Sequence, residues 1–405
     1  MKFQMKKWIL LAAALAVGIL VLVCLDWNVV EENGVEVPPP PRIPTPAPVV
    51  LPEPVEAYVG ETIDVSSNIT GQRFENCTLT ILGEEGITIS GCDFQNSRMI
   101  IEDSRDIEIS HNIIMDYYVH EDAAVRIHCV EGLLVDHNEV SGNSIGIIIG
   151  RCSDVVIRNN IFEANDQHNA ISGLDCRGAK IHGNLFRFNF PHALMIMNRD
   201  ADPLVQLLIH DNLFDRNIED AINFEDFGGS RLVTRVYGNR INGTGWAGIN
   251  VEYNSWGANI VIEDNYIDDN GLLTEEILDE EGRPERLYPA HDHQPEAYAL
   301  GWGHGVKLED CSGVIVRGNA IISNAGNGVD IKNARNVTLE ENTMALNRIG
   351  LSVMGYQESS LHREHSPISP EDAGVSIVTV RSNRIFDNAE GALYVEEGSQ
   401  LREEE

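Results

Sequence analysis

Apolar and polar residues alternate in short bursts along most of this chain. Val306-Lys307-Leu308-Glu309, Ile222-Asn223-Phe224-Glu225 and Ile249-Asn250-Val251-Glu252 each repeat with period two, the signature of a strand and not of a helix. The bursts are broken by Gly, Asn and Asp, and no stretch after residue 60 sustains helical periodicity over three turns. They also recur inside a longer phrase: a small residue or Cys, a β-branched run, then Asn, one residue and an apolar pair. It reads CVEGLLVDHNEV from Cys129, CSDVVIRNNIF from Cys152, CRGAKIHGNLF from Cys176, CSGVIVRGNAI from Cys311 and NARNVTLEENTM from Asn333. The marker Asn falls at 112, 138, 160, 184, 212, 239, 265, 319, 342 and 383, so most steps are 20 to 28 residues. A period in that range predicts stacked coils, each made of several short strands joined by turns.

These repeats resemble those of the right-handed parallel β-helix proteins, the broad group that contains pectate lyases, polygalacturonases and mannuronan epimerases. The resemblance covers roughly residues 60 to 397 and implies an all-β, right-handed parallel β-helix of about eleven or twelve coils. Leucine-rich repeats share the period but need a Leu-x-x-Leu-x-Leu signature, which is absent. Such a fold leaves function open.

The ends of the chain differ from its middle. Lys6 and Lys7 precede an uncharged apolar run from Trp8 to Leu25, which predicts a membrane anchor, or else a signal sequence, with residues 1–7 as a cytoplasmic basic tail. The positive-inside rule then places everything after Asp26 outside the cytoplasm. Residues 26–58 read as a linker, with nine Pro between Pro38 and Pro54, a composition that favours an extended stalk. The β-helix domain is expected over 59–398, followed by an acidic tail at 399–405. With 63 acidic against 29 basic residues the net charge is −34. A surface so negative repels phosphate backbones and anionic headgroups, so nucleic acid is excluded as an expected partner.

Cys129, Cys152, Cys176 and Cys311 align at one repeat position, which Ser104 and Asn333 fill elsewhere. Interchange with Ser and Asn predicts a ladder of small residues at a turn, and no CxxC pair suggests a metal. The marker Asn residues are read likewise as a structural ladder.

Alignment on the marker Asn turns the outward positions of one sheet into rows. One runs Arg126, Ile148, Ser172, Met195, Asn223, Asn250, Lys307, Asp330, Ser352, Tyr394. The next runs Leu174, Met197, Glu225, Glu252, Glu309, Lys332. A third, just before the strand, runs Asn169, His192, Asp220, Ala247, His304, Asn327. Between about 215 and 335 all three turn polar and ionisable together. Coils stack ~4.8 Å apart, so Glu225, Glu252 and Glu309 should be neighbours. Three carboxylates in line either raise one another's pKa, giving a general acid, or bind a cation such as Ca²⁺. Asp220 and His304 should lie ~9.5 Å apart, two coils along the same row.

Trp246, Tyr253, Trp256, Tyr298 and Trp302 gather in the same coils, as platforms for sugar rings or as core and loop anchors. The step from Asn265 to Asn319 holds an insertion at 271–300, read as a wall or lid, and a second lies at 357–373. His291, Asp292 and His293 in the first are a weak metal motif. Gly303-His304-Gly305 and Asn327-Gly328-Val329-Asp330-Ile331-Lys332 resemble segments of polygalacturonase-type glycosidases, with Asp330 where that family has Arg. Asp220-Ala221-Ile222-Asn223 matches the first Asp-Gly-Ile-Asp segment, while Trp246-Ala247 replaces the paired Asp. The Asp-Pro-His of mannuronan epimerases becomes Phe190-Pro191-His192.

The expected function is therefore an anchored, extracytoplasmic protein that binds or processes a polysaccharide. Asp220, Glu225, Glu252, His304, Lys307 and Glu309 are the acid–base candidates. Asn223, Trp246, Asn250, Tyr253, Trp302, Asp330 and Lys332 are the substrate-binding candidates, and Glu225, Glu252 and Glu309 the Ca²⁺ ligands. The alternative is a non-catalytic adhesin or envelope module. Metal-enzyme maturation is a third possibility that only the fold supports.

Overall fold

The computed structural model describes residues 37–198, 200–254, 257–271, 303–355, 376–396 and 399–403. Within the unit Pro40–Glu405 the strands stack as three parallel sheets. Sheet A runs from Glu56–Val59 to Arg384–Phe386 and contains thirteen strands. Sheet B runs from Thr62–Asp64 to Gly391–Val395, and sheet C from Ile69–Thr70 to Gln400–Glu403. Sheets B and C join because the strand His304–Arg317 continues through both without a break. Thirteen strands in a stack make twelve coil-to-coil steps, so the expected parallel β-helix is present with its expected size.

Period two does the work inside each coil. In Ile145–Gly150 the side chains of Ile147 and Ile149 are buried while Ile148 points outward. The inner positions of successive coils then stack on each other, as in sheet A, where Phe162, Phe186 and Phe214 lie with ring centroids 4.9 Å apart and nearly parallel planes. Each coil buries its apolar face only against its neighbours and the opposite walls.

Two corners are built the same way. One residue adopts a left-handed conformation and the next is a buried Asn. His111, His137, Asn159 and Asp211 take φ between 52° and 57° immediately before Asn112, Asn138, Asn160 and Asn212. Each marker Asn donates Nδ2–H to the Oδ1 of the next, at 3.0 Å from Asn160 to Asn184 and from Asn184 to Asn212. A second ladder, absent from the sequence reading, runs through Asn143, Asn165, Asn189 and Asn217 at the corner between sheets A and B. These side chains satisfy buried backbone groups that the turn would otherwise strand.

Several expectations shift. The described cysteines are all free, and Cys152, Cys176 and Cys311 sit in one column with Ser104. Cys129 and Asn333 do not. They occupy the left-handed position one residue earlier (φ 55° and 49°), and Val130 and Ala334 fill the column itself. The tail placed at 399–405 begins with a strand, since Gln400–Glu403 pairs with Ile377–Val380. The apolar run Trp8–Leu25 and nearly all of both insertions lie outside the described residues. Among the described residues no helix is long and apolar enough to cross a membrane.

Candidate functional site

Sheet B carries the three rows in the predicted register, except at the start of the second: Leu174 is fully buried at a left-handed bend and the pairing shifts at Met197. Met195, Asn223, Asn250, Lys307, Asp330 and Ser352 pair in succession. Glu225, Glu252, Glu309 and Lys332 do the same one pleat further on, and Ala247 pairs with His304. A column of small residues separates the pre-strand row from the strand: Ala221, Gly248, Gly305, Gly328 and Gly350. A Cβ on Gly305 would sit 2.2 Å from Ile321 Cγ2 and 2.6 Å from the Gly328 carbonyl oxygen. The Gly after His304 and the Gly after Asn327 are therefore required by coil packing. The glycosidase-like phrases follow from the fold at those positions.

Two imidazole–carboxylate couples flank the site. Asp220, 1% exposed, accepts from the Ala247 amide at 3.0 Å and from Asn250 Nδ2 at 3.2 Å. Its other neighbour is His192, whose Nδ1 lies 3.4 Å from Asp220 Oδ2 and whose Nε2 is 3.4 Å from Asn223 Nδ2. Burial, then the charge of Glu252, pushes the Asp220 carboxyl up to about 7, and burial pulls His192 down to about 3. Near neutral pH the couple thus holds an uncharged imidazole beside a carboxyl that exchanges its proton. In the second couple the Asn327 amide donates to His304 Nδ1 at 3.0 Å, leaving Nε2 3.9 Å from Asp330. Burial lowers His304 to about 4 despite Asp330. Asp330 is held below its usual range: His304, Lys332 (Nζ at 3.3 Å) and Asn327 outweigh its desolvation.

Between the couples lies an ionic triad. Lys307 Nζ is 2.7 Å from Glu309 and 3.6 Å from Glu252. Desolvation opposes the Lys307 charge, but Glu252 and Glu309 overcome it and raise its pKa above the ordinary value. Glu309 is lowered in turn, its desolvation outweighed by Lys307. The cation that these carboxylates have in the structure is the ammonium of Lys307. Glu225, Glu252 and Glu309 are not among the described groups whose ligand atoms come within 4.8 Å of one another. Around Asp220, the buried atoms His192 Nδ1, Asn223 Oδ1 and Asn250 Oδ1 lack a hydrogen bond, a costly state that a polar ligand would relieve.

A raised carboxyl alone does not mark a site. Asp268, buried on sheet A, also reaches about 7 through desolvation. Its ion-pair neighbour is Arg240 at 3.8 Å, and among the described residues the groups that act on it are Arg240, Asn242 and other carboxylates, not an imidazole. What distinguishes Asp220 is the imidazole beside it and the polar rows around it.

The family model described as right-handed β-helix region matches residues 62–214 and 298–404. The chain belongs to the right-handed β-helix family. Among solved structures, this β-helix is similar to a variant of the periplasmic alginate epimerase AlgG at 14% identity, covering 86% of this chain and 78% of that one with a TM-score of 0.55. It also matches PfbA, a surface adhesin of Streptococcus pneumoniae (12% identity, 75% and 84% covered, TM-score 0.44), and the catalytic domain of a GH87 alpha-1,3-glucanase (11%, 86% and 63%, 0.47). At these identities the likeness is one of fold. No curated protein sequence matches the chain.

Of the predicted residues, the β-helix brings Asp220, Asn223, Asn250, Glu252, Lys307 and Glu309 into one network, since Asn223 Nδ2 also reaches Glu252 Oε1 at 3.3 Å. Asp330 and Lys332 join His304 instead, so Asp220 and His304 have separate partners. Tyr253 and Trp246 are partly buried beside them. Burial, then Glu252 and Glu309, raises the Tyr253 hydroxyl well above its usual value. Trp302, Trp256, Tyr298 and His291 to His293 lie outside the described residues. The residue missing from the candidate set is His192. Its place immediately before Asp220 in the pre-strand row was the available signal.

Proposed function

We propose that this β-helix binds a polysaccharide along sheet B, from the coil of His192 to the coil of Lys332, and processes it by acid–base chemistry. The observation that carries the reading is the Asp220–His192 couple, with its carboxyl near 7 and its unsatisfied neighbours Asn223 and Asn250. The two groups are too close to flank a water-mediated displacement, which needs carboxyls ~6.5–9.5 Å apart, so they serve as one proton station. Lys307 and Lys332 orient sugar hydroxyls or carboxylates, and Trp246 offers a ring face. Glycan arrays, with reducing-end and unsaturated-product assays over neutral and acidic polysaccharides, test the reading with and without Ca²⁺. Calcium at Glu225, Glu252 and Glu309 remains part of the proposal as a competitor of Lys307. We expect Asp220→Asn to lower turnover by about 10²-fold or more while glycan binding survives. Neither binding nor turnover on any glycan would overturn it.

A second reading has its own support. Glu252 and Glu309 already share the Lys307 ammonium, which suits a binding module without turnover. Wild-type binding without product, unaffected by Asp220→Asn, would favour it. For either reading we propose that Trp8–Leu25 anchors the domain outside the cytoplasm, to be tested by fractionation and protease accessibility in cells.

A further inference from the structure

A second cluster stands at the same edge of sheet B, just before the start of the pre-strand row, where His168 precedes Asn169. The loops entering this sheet have very different lengths in three successive coils. Seven residues separate the strand Ile113–Met115 from Ala123–His128, three separate Glu139–Ser141 from Ile145–Gly150, and five separate Ile161–Glu163 from Asn169–Gly173. The long loop therefore passes over the short one and meets the loop beyond it. Where they meet, the side chains of His120, Glu121 and His168 converge. Their ligand atoms all lie within 4.8 Å of one another. His120 Nδ1 is 3.9 Å from Glu121 Oε1, and the two imidazole rings stand 5.8 Å apart at 86°.

The arrangement is braced on both sides. The Asp122 amide donates to the Val119 carbonyl at 3.0 Å, closing a turn with His120 and Glu121 at its tip. Glu121 takes φ +58°, a region that Gly or Asn usually supplies and that a Glu enters under strain. Tyr118 donates its hydroxyl to Asp166, tying the long loop to the segment that bears His168. Tyr117 donates to Asp122 at 2.8 Å, and Asp122 also pairs with Arg98. On the other side the amides of Gln167 and His168 both donate to the Ser144 carbonyl, at 3.2 and 3.1 Å.

We propose that His120, Glu121 and His168 form a binding site for one divalent first-row transition metal ion. Two imidazole nitrogens and one carboxylate oxygen suit Zn²⁺ or Cu²⁺, whereas Ca²⁺ prefers an all-oxygen set. Tetrahedral ligands at ~2.1 Å from an ion are ~3.4 Å apart. Closure from the observed spacing needs only about an ångström of movement, and His120 and Glu121 are 64% and 72% exposed and able to make it. The net charge of −34 draws cations to the surface, and water completes the coordination on the solvent side. This site is independent of any glycan reading.

The test is calorimetric titration of the full chain with Zn²⁺ and with Cu²⁺, and with Ca²⁺ as the hard-cation control. Saturable one-to-one binding of the transition metals is expected, weakened tenfold or more by His120→Ala and by His168→Ala and abolished in the double variant. His168 is partly buried, so Glu121→Gln provides a variant that leaves the packing alone and should still weaken binding several-fold. His111→Ala, in the stacked pair His111–His137, should bind as the wild type does. Electron paramagnetic resonance of the Cu²⁺ complex should show two coordinated nitrogens. No saturable site in the wild type, or undiminished affinity in the double variant, would overturn the proposal.

Discussion

Asp220 is the residue at which stability and proposed chemistry pull in opposite directions. The folded chain holds its proton up to about pH 7, while an unfolded Asp releases it near 3.9. Between ~4 and ~7, rising pH therefore favours the unfolded chain, which sheds the proton freely, and the loss of stability is complete above ~7. A shift of this size corresponds to a few kcal/mol at most, at ~1.4 kcal/mol per pKa unit. Asp220→Asn keeps an acceptor for the Ala247 amide and cannot ionise. Its melting temperature relative to wild type should become more positive from pH 5 to pH 8, by several degrees in calorimetry, while turnover is lost. A difference that stays constant or falls over that range would mean that the carboxyl is not held protonated. Burial is the main cause of the effect, and the charges that modulate it, Glu252 raising and Lys307 lowering, lie one and two coils away. That is why the rows could be read from the sequence and the pairing within them could not. Period two fixes which side chains face outward, but only the rotamers decide that Lys307 bridges Glu252 and Glu309 and that His192 leans on Asp220.

At the scale of the coil, the Asn ladder makes a sharper prediction than the apolar core. Asn184 accepts from the amide and the side chain of Asn160 at 2.9 and 3.0 Å, and donates to the Ile157 carbonyl, the His182 carbonyl and Asn212. Asn184→Ala strands several buried groups at once, at ~1–3 kcal/mol each before relaxation, so a loss of about 2–4 kcal/mol in urea unfolding is expected. Asn383, partly exposed in the last described turn of the ladder, bonds Leu339 and Asn342, and its replacement should cost less. Equal costs would show that the ladder is not cooperative. The ladder at Asn112, Asn138 and Asn160 was legible because its residue recurs beside an apolar pair. The second, at Asn143, Asn165 and Asn189, was hidden by its variable neighbours: Tyr117, Ser97 and Cys77 take its place in the first coils. The misplacement of Cys129 and Asn333 has a related cause. A left-handed corner residue can be Asp, Arg, Cys or Asn, so identity alone does not say which side of the corner it occupies.

For the β-helix as a whole, the long insertion is the decisive element. Its two ends meet in the structure. The Gly271 amide donates to the Thr244 carbonyl at 2.6 Å, the His304 amide donates to the Trp246 carbonyl at 2.7 Å, and a Cβ on Gly303 would lie 2.2 Å from Gly271 Cα. Gly271 and Gly303 are thus brought together at one point of the coil, while Asn270 continues its ladder to Asn324. Joining Gly271 directly to Gly303, whose Cα atoms are within about one peptide span, should leave the stacked coils folded, because each coil draws its core from its neighbours, and the melting temperature should move by no more than a few degrees. If the insertion walls a glycan site, affinity or turnover should fall together with that change, since His304 and Lys307 begin the strand that follows it. If the domain is a binding rod with its insertion as a spacer, neither melting nor binding should move. A deletion variant that does not fold would show that the insertion belongs to the core, contrary to the register in which Ala247 pairs with His304 and Glu252 with Glu309.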